Sequence, residues 1–424
     1  MMLPSPEPLK EDRGFSTVKA TTGKYRFYAL GLSTTNYGLI YGSAFCLPVV
    51  MLMVMEALNL SYSEVSLFLT MYNFAWCFGM IPAGWLADRF GIKTILTIGP
   101  LISGTCLFLW SLAPPYPVMC LLYTLMGLGA GLSWPAAVAL VIKWFRHEEH
   151  GRALGIMNGG GHGILMVLYA LATPVIAIYY GWQGPFRIFP ILLFVWVAIF
   201  WFTVRLPSKA KTKSATVQEN PVPKQPKVKS VFRNLGIWII GVIGASYIVQ
   251  YYVFFIFLPS YLQEVAGFSL TKAGLGAMIF LLACIPAGIV GGIVADRIGI
   301  LKTQLIGCLI SASAVIMAVW VIVDWALLVP VLFLIGWGSY FAFGPYLGLA
   351  SRLVPPEQEA SAIGLMSAIQ WSPGIFVPVL AGWMLETTGL YTPMFYLATI
   401  SPLIGVALYF IGKRYVKAAI IISH

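Results

Sequence analysis

The hydrophobic residues of this chain fall into long runs, and the short stretches between them contain most of the charged residues. An α-helix needs roughly 20 mostly apolar residues to cross the hydrocarbon layer of a bilayer. The runs meet this requirement, so the pattern predicts twelve membrane-spanning helices. These cover residues 27–54, 63–87, 94–113, 118–143, 152–180, 185–206, 235–262, 272–294, 303–323, 326–352, 361–385 and 393–412.

The composition supports a lipid environment. Hydrophobic residues make up 59% of the chain and charged residues 10%, and the mean hydropathy is +0.85. Soluble domains carry about 25% charged residues. So little charge cannot cover a water-facing surface, and we expect an all-α integral membrane protein. The first run is too long for a signal peptide and lacks a small-residue cleavage site, so we expect it to remain as a span.

The net charge of +11 follows the predicted topology and does not indicate nucleic-acid binding. When the loops are assigned alternately to two sides, 24 of the 26 Lys and Arg residues fall on one side, and only Arg187 and Lys272 fall on the other. This distribution is the positive-inside rule. It predicts a multi-pass protein of the cell membrane with both termini in the cytoplasm.

Residues 207–234 contain few apolar side chains and are rich in Pro, Lys and Ser, which predicts a flexible cytoplasmic linker. Its lysines either contact anionic lipid headgroups or only help to fix the topology. The linker divides the chain evenly. The predicted organisation is a tail (1–26), a six-helix bundle (27–206), the linker (207–234), a second six-helix bundle (235–412) and a second tail (413–424).

A repeated loop relates the two halves. Residues 83–94 read AGWLADRFGIKT, and residues 291–303 read GGIVADRIGILKT. Both follow an Ile-Pro-Ala-Gly sequence in the second span of their half, and Ala-Asp-Arg-x-Gly-Ile recurs after 208 residues. Two halves with matching loops predict two pseudo-symmetric six-helix bundles around a central cavity.

The repeated loop resembles the signature of the major facilitator superfamily, Gly-x-Leu-Ala-Asp-Arg-x-Gly-Arg-Lys. The first copy departs from it at Ile92, where a basic residue is usual, and the second at Val294, which replaces leucine. The resemblance implies a secondary carrier that works by alternating access, in which these loops hold the cytoplasmic gate. The glycines would let helices approach closely. The expected gating residues are Gly84, Asp88, Arg89, Gly91, Asp296, Arg297 and Gly299.

The start of span five resembles a second family signature. Residues 153–164 read ALGIMNGGGHGI and resemble the fifth span of nitrate and nitrite porters, with His162 at the position of an asparagine. The same region also resembles carriers of monocarboxylates and other organic anions. Spans two and eight lack the arginine that nitrate porters use, which disfavours nitrate. Tyr123 stands where many superfamily members have an arginine, which weakens a proton mechanism taken from them, and the span-five motif of drug antiporters is absent.

His162 is an ionisable residue inside an apolar span. It lies ten residues beyond Arg152, which is about 15 Å along a helix and close to mid-membrane. Asn158, four residues earlier, shares its face, whereas Gly155, Gly159 and Gly163 form a smooth face for helix contact. Two interpretations stay open. His162 is either a neutral residue hydrogen-bonded to a neighbouring helix or a cavity residue that binds substrate or exchanges a proton.

No Asp, Glu, Lys or Arg lies near mid-span, so a substrate would meet no full counter-charge there. The family resemblance implies that spans one, four, seven and ten line the cavity. The preferred substrate contacts are Asn36, Tyr41, Asn158, His162, Gln250, Tyr251 and Tyr340. Other mid-span polar or aromatic candidates are Tyr37, Tyr72, Asn73, Trp76, Trp134, Tyr252, Ser339, Gln370 and Trp371. For each alone, packing between helices explains the residue at least equally well.

The sequence contains no P-loop, no metal-spaced His/Cys cluster and no intramembrane acid pair, so we expect neither an enzyme nor a bound cofactor or metal. The expected function is transport of a small organic acid, in particular a monocarboxylate, by a monomeric carrier coupled to protons. Its partners would be the solute, protons and membrane lipid. A carrier of neutral polar or aromatic solutes and an exchanger of small anions remain alternatives, as does a membrane sensor that does not transport.

Overall fold

The computed structural model describes residues 25–44, 46–145, 149–158, 163–206, 231–321, 324–341, 353–354 and 359–422, which are helical and contain no strand. Where the connection between consecutive helices is described, it is a short turn. The helices are α1 (Tyr25–Ala44), α2 (Cys46–Leu58), α3 (Tyr62–Phe90), α4 (Ile92–Trp110), α5 (Tyr116–Trp144), α6 (His150–Asn158), α7 (Leu165–Tyr180), α8 (Gln183–Thr203), α9 (Leu235–Glu264), α10 (Leu270–Ile298), α11 (Ile300–Val321), α12 (Trp325–Tyr340), α13 (Glu359–Trp371), α14 (Pro373–Thr388) and α15 (Thr392–Ile422).

These helices agree with the predicted spans. Among the described residues, nine helices are long and apolar enough to cross a membrane, and three shorter apolar helices fall on predicted spans five, nine and ten. Each of the twelve predicted spans therefore coincides with one or two helices. The predicted all-α membrane fold is confirmed. Most of the linker predicted at 207–234 lies outside the described residues, and the proposed domain boundaries remain predictions.

Two predicted spans contain a break close to a proline. In the first span, α2 contains Pro48, and Val50 has non-helical angles of φ −104° and ψ 16°. In the eleventh span, α13 ends at Trp371 and α14 begins with Pro373, whose missing N–H is tolerated in the first turn of a helix. The hydrophobic pattern does not reveal such breaks, because a kinked helix is as apolar as a straight one.

The last helix is longer than its predicted span. The sequence pattern ends span twelve at residue 412, whereas α15 continues to Ile422. The residues beyond 412 include Lys413, Arg414 and Lys417. Lysine and arginine favour the helical conformation, so these charges mark the end of the apolar stretch without ending the helix.

The internal repeat is visible in the backbone. α3 and α10 both have 29 residues, and the offset of 208 residues relates their first and last positions. Ser61 and Ser269 cap the two helices, each accepting a hydrogen bond from the backbone N–H three residues later. Gly91 and Gly299 end them with φ of 90° and 91°. The duplicated sequence thus folds into duplicated structure.

Glycines allow the helices of one half to pack closely. α3 and α5 cross where a methyl group at Gly127 would collide with the backbone carbonyl of Tyr72, and one at Gly131 with the carbonyl of Trp76. Apolar side chains alone hold helices together weakly in lipid, because lipid tails are equally apolar. Close backbone contact supplies the missing attraction through van der Waals packing.

Among the described residues, glycines mark close contacts between the two halves at one end of the bundle. We call the end of the bundle opposite the start of α1 and the end of α15 the distal end, and the other the proximal end. Distally, a methyl group at Gly274 of α10 would lie 2.9 Å from the Ala170 carbonyl oxygen of α7, and one at Gly382 of α14 would lie 2.5 Å from Ser66 Oγ of α3. Proximally, a methyl group would meet no atom within 4 Å at Gly84, Gly155, Gly288 or Gly292.

This packing predicts unequal effects for two Gly→Ala substitutions. Gly127→Ala inserts a methyl group against a backbone carbonyl, and such overpacking costs about 1–3 kcal/mol. We expect it to lower the midpoint of thermal unfolding of the purified protein in detergent. Gly31→Ala is the control, because Gly31 lies on a helix with nothing within 4 Å of the added methyl. Equal melting of the two variants would contradict the close contact of α3 with α5.

Candidate functional site

Aromatic side chains from both halves meet at mid-depth. Three come from the N-terminal half and three from the C-terminal half. We call Tyr41, Tyr72, Trp76, Tyr251, Tyr252 and Trp371 the central aromatic cluster. The rings of Trp76 and Trp371 join the halves with an edge-to-face contact at 5.8 Å between centroids. Trp371 also lies within 6.4 Å of Tyr251 and 6.3 Å of Tyr252. Such edge-to-face pairs contribute stabilisation beyond that of burying the rings.

A hydrogen bond joins the halves beside these rings. The Tyr252 hydroxyl donates to Asn73 Oδ1 at 2.8 Å, and both residues are buried. The amide nitrogen of Asn73 donates to the Leu69 carbonyl of its own helix at 2.7 Å, which fixes the orientation of the amide. Gly374 leaves room for the phenol, since a methyl group there would collide with the Tyr252 hydroxyl.

Three of the residues predicted from the sequence lie at this interface. Tyr41 contacts Trp76 at 5.8 Å between ring centroids, and Tyr251 contacts Tyr340 at 5.9 Å. The structure therefore brings Tyr41, Tyr251 and Tyr340 to one region between the halves. Their role in binding a substrate remains a prediction.

Asn36 lies elsewhere. Its side-chain oxygen accepts a hydrogen bond from Trp196 Nε1 at 3.0 Å, so it faces α8 of its own half. Asn36 is fully buried, and its amide nitrogen has no hydrogen-bond partner among the described residues. This contact holds two helices of one bundle together and does not point to the partner half.

Gln250 lies on a face of α9 that packs within its own half. Ser246 and Phe254, one turn on either side of Gln250, both contact α15: a methyl group at Gly405 would collide with Ser246 Oγ, and Phe254 stacks on Phe395 at 5.4 Å. Residues four apart share a helix face. Gln250 is fully buried, and neither atom of its amide has a partner within the described part of the chain.

The polar pair predicted in span five is not visible. His162 lies outside the described residues, and Asn158 ends α6 with its side chain outside them. Of the glycines on the predicted contact face, Gly155 and Gly163 are described, whereas Gly159 lies outside the described residues. A methyl group at Gly163 would collide with Ile285 of α10 in the other half, whereas Gly155 faces open space. Span five therefore contacts the partner half at the depth where His162 is expected.

Four residues at the interface between the halves, Asn73, Trp76, Tyr252 and Trp371, are not among the preferred substrate contacts predicted from the sequence. All four are mid-span candidates in the sequence. Asn73, Trp76 and Trp371 rank lower because they lie in spans two and eleven, outside the four spans expected to line the cavity, whereas Tyr252 lies in span seven. The spacing of Asn73 and Trp76 in the sequence could have indicated a shared position, because these two are three residues apart and lie on one face of α3.

The central aromatic cluster combines neutral donors with little open space. In α3 the nearest charged residues to Asn73 and Trp76 are Glu64 and Asp88, close to the two helix ends. Trp76 is 4% exposed, and its indole N–H has no hydrogen-bond partner among the described residues. A nearby cavity of about 10 Å³ between α2, α7, α9 and α10 has room for about one water molecule.

The two repeated loops use glycine for backbone conformation. Gly91 and Gly299 both have φ near +90°, a region that side-chain-bearing residues rarely adopt. Gly84 differs, because its surroundings are open. The Arg89 guanidinium lies 5.3 Å from the ring of Trp85 on its own helix. The side chains of Asp88 and Asp296 lie outside the described residues, so the predicted gating role of the loops stays a prediction.

The family follows from a comparison over most of the chain. The model of the Major Facilitator Superfamily matches residues 34–378 and 269–421. The chain belongs to the Major Facilitator Superfamily, a class of multi-pass membrane transporters. A crystal structure of a bacterial homologue of the human lysosomal transporter Spinster has the same fold, with a TM-score of 0.77 and 16% identity over 94% of this chain and 99% of the other.

Curated relatives include transporters named for organic anions. A probable sulfoacetate transporter of Cupriavidus necator is 26% identical over 65% of this chain and 66% of its own length. A probable galactarate/D-glucarate transporter of Escherichia coli is 24% identical over 93% of this chain and 94% of its own. A nitrite extrusion protein of Bacillus subtilis is 26% identical over 79% of this chain and 81% of its own. The resemblance to the organic-anion and nitrate-porter branches is confirmed.

The loop geometry predicts which glycines tolerate a side chain. Gly91→Ala and Gly299→Ala force alanine into a positive-φ conformation that costs about 1–3 kcal/mol. We expect both to lower the thermal unfolding midpoint by similar amounts, since the two loops have the same conformation. Gly84→Ala, in the same motif but with open surroundings, should leave the midpoint unchanged. A loss of stability in Gly84→Ala alone would show that close approach, rather than φ, explains the motif.

Proposed function

We infer that this protein carries a small organic anion across the cell membrane by alternating access, with its halves moving about the central aromatic cluster. Membership of the superfamily supports transport. The relatives named for sulfoacetate and for galactarate and D-glucarate support an organic acid as the substrate. The fold adds the central aromatic cluster between the halves, a region with neutral hydrogen-bond donors where such a solute would be held.

The observation that carries the proposal is the unpaired donor at the interface. An indole N–H can only donate a hydrogen bond, and that of Trp76 is buried without a partner among the described residues. A buried polar group left unpaired costs about 1–3 kcal/mol. A carboxylate or sulfonate oxygen would accept this hydrogen bond, whereas a cationic substrate would need an acidic partner, which the sequence does not place at this depth.

The finer proposal is a monocarboxylate carried together with a proton. Burying a charge in the membrane is costly, and without a mid-span lysine or arginine each further negative charge on the substrate adds to the cost. A proton taken up with the substrate would neutralise one charge. An imidazole titrates near neutral pH, so we assign the proton to His162, with Asn158 beside it.

The proposed topology places both termini in the cytoplasm. The distal end would then face the outside of the cell. Among the described residues, Gly274 and Gly382 at the distal end are in close contact with the other half, whereas four proximal glycines have open surroundings. The described conformation would then have its substrate path directed towards the cytoplasm. We propose a monomer in the cell membrane, with lipid around its outer helices.

Uptake into proteoliposomes tests the substrate class and the coupling together. We expect monocarboxylates to be taken up faster than dicarboxylates, sulfonates and neutral analogues, and an imposed inward proton gradient to accelerate this uptake. His162→Ala should abolish the acceleration, because it removes the titrating group. Uptake still driven by acid in His162→Ala would refute the coupling assignment. Preferred uptake of uncharged analogues would favour the alternative of a neutral-solute carrier.

A pair of tryptophan substitutions tests the position of the site. Trp76→Phe removes the indole N–H and keeps an aromatic ring, and we expect KM to rise roughly tenfold or more, as for the loss of a hydrogen bond to a charged group. Trp110→Phe is the matched control. Trp110 is also buried with an unpaired N–H among the described residues, but it packs against Phe68 and Trp182 inside one half. Equal KM values for the two variants would place the substrate elsewhere.

A further inference from the structure

A carboxylate of the C-terminal half binds the start of α3 at the distal end. The Tyr62 hydroxyl donates to Glu264 Oε1 at 2.6 Å, and the Tyr391 hydroxyl donates to Glu264 Oε2 at 2.8 Å. The two phenol oxygens are themselves 3.3 Å apart. Tyr62 belongs to the N-terminal half, whereas Glu264 and Tyr391 belong to the C-terminal half. These three residues therefore join the halves through one shared carboxylate.

A second carboxylate reaches the same helix turn. The backbone N–H of Ser63 donates to Glu386 Oε2 at 3.2 Å. This N–H belongs to the first turn of α3, where backbone donors have no partner within the helix and the helix dipole favours a negative charge. Glu386, which belongs to the other half, therefore provides the hydrogen-bond acceptor that a capping residue next to the helix usually provides.

The contact is tightly packed beneath these polar groups. Ser66 is fully buried, and a methyl group at Gly382 would lie 2.8 Å from the Tyr62 carbonyl oxygen as well as 2.5 Å from Ser66 Oγ. Burial raises the pKa of the Tyr391 phenol above its usual range, and the hydrogen bond with Tyr62 adds to this effect. Tyr391 therefore remains a donor at neutral pH.

The internal repeat provides a comparison for Glu264. The offset of 208 residues that relates Ser61 to Ser269 also relates Glu56 to Glu264. Glu56 is exposed, and no hydrogen bond or ion pair is found for it among the described residues. The same offset replaces Tyr62 by Leu270. Only the C-terminal copy of the glutamate therefore has a tyrosine of the opposite half to bind.

A second distal contact between the halves is apolar at its closest point. α7 and α10 meet where a methyl group at Gly274 would collide with the Pro174 ring. Among the described residues, the distal hydrogen bonds between the halves thus lie where α3 meets the C-terminal half, and not where α7 meets α10.

We propose that Glu264 and Glu386, through Tyr62, Ser63 and Tyr391, form a hydrogen-bonded lock that holds the distal gate closed. The lock lies at the end of α3 opposite the Asp88-Arg89 loop. Opening the distal end separates α3 from α14 and breaks the lock, so these carboxylates set the balance between the two conformations. This inference rests on the proposed alternating-access cycle and is independent of the substrate.

Thiol labelling in lipid nanodiscs, where the reagent reaches both faces, tests the lock without any substrate. In a background without the six native cysteines, Ser66→Cys reports distal opening and Gly155→Cys reports proximal opening. We expect Glu264→Gln to raise the labelling rate of the Ser66→Cys reporter roughly tenfold or more, as for the loss of a hydrogen bond to a charged group. The rate of the Gly155→Cys reporter should fall, because more molecules close proximally.

Three further variants separate the lock from general loosening. Glu56→Gln makes the same chemical change at the repeat-related position and should leave both rates unchanged. Tyr62→Phe should act like Glu264→Gln, and the double variant should add little, because both remove the same hydrogen bond. Unchanged distal labelling in Glu264→Gln would overturn the proposal, and so would faster labelling at both reporters, which indicates a structural brace. Failure of uptake with the expected labelling would refute only the proposed substrate.

Discussion

A helix in lipid must satisfy its backbone hydrogen bonds internally, and the rest of this structure depends on that constraint. Once the backbone is satisfied, apolar side chains gain nothing by leaving lipid for a neighbouring helix, so the helices associate by close packing and by scattered hydrogen bonds. The close approach of Gly127 to the backbone carbonyl of Tyr72 is an example of such packing. The contact from the Tyr252 hydroxyl to Asn73 Oδ1 is an example of such a hydrogen bond. A buried polar contact therefore shows more directly which helices are held together here than it would in a water-soluble core.

The polar groups are distributed by depth. The middle of the interface contains phenols, indoles and amides, which can stay neutral when buried. Carboxylates at the interface, such as Glu264 and Glu386, occur near the helix ends, where water can reach them when the contact breaks. This arrangement avoids the large cost of an isolated charge in a low-dielectric interior. It also separates the tasks, because mid-depth groups can bind a solute while end groups stabilise a conformation.

The sequence predicted whatever follows from local pattern. Hydrophobic run length located the spans, and the repeated Ala-Asp-Arg-x-Gly-Ile loops located Gly91 and Gly299, whose equal φ angles follow from equal sequence. It could not predict which way a buried polar side chain faces. Gln250 and Asn36 lie in spans expected to line the cavity, yet they face α15 and α8 of their own halves, because tertiary packing sets the rotation of each helix. Spans two and eleven ranked lower for a different reason, because the family resemblance implies a cavity lined by spans one, four, seven and ten.

The length of α3 has a mechanical consequence. Its 29 residues extend about 43 Å at 1.5 Å per residue, which exceeds the roughly 30 Å hydrocarbon layer. Both ends of this rod consequently reach the headgroup layers, so Tyr62 at one end and the loop at Gly91 at the other can exchange a protein partner for water at little cost. In the proposed alternating-access cycle, a tilt that withdraws one end would advance the other, so α3 would act as a lever and water would reach its two ends in turn.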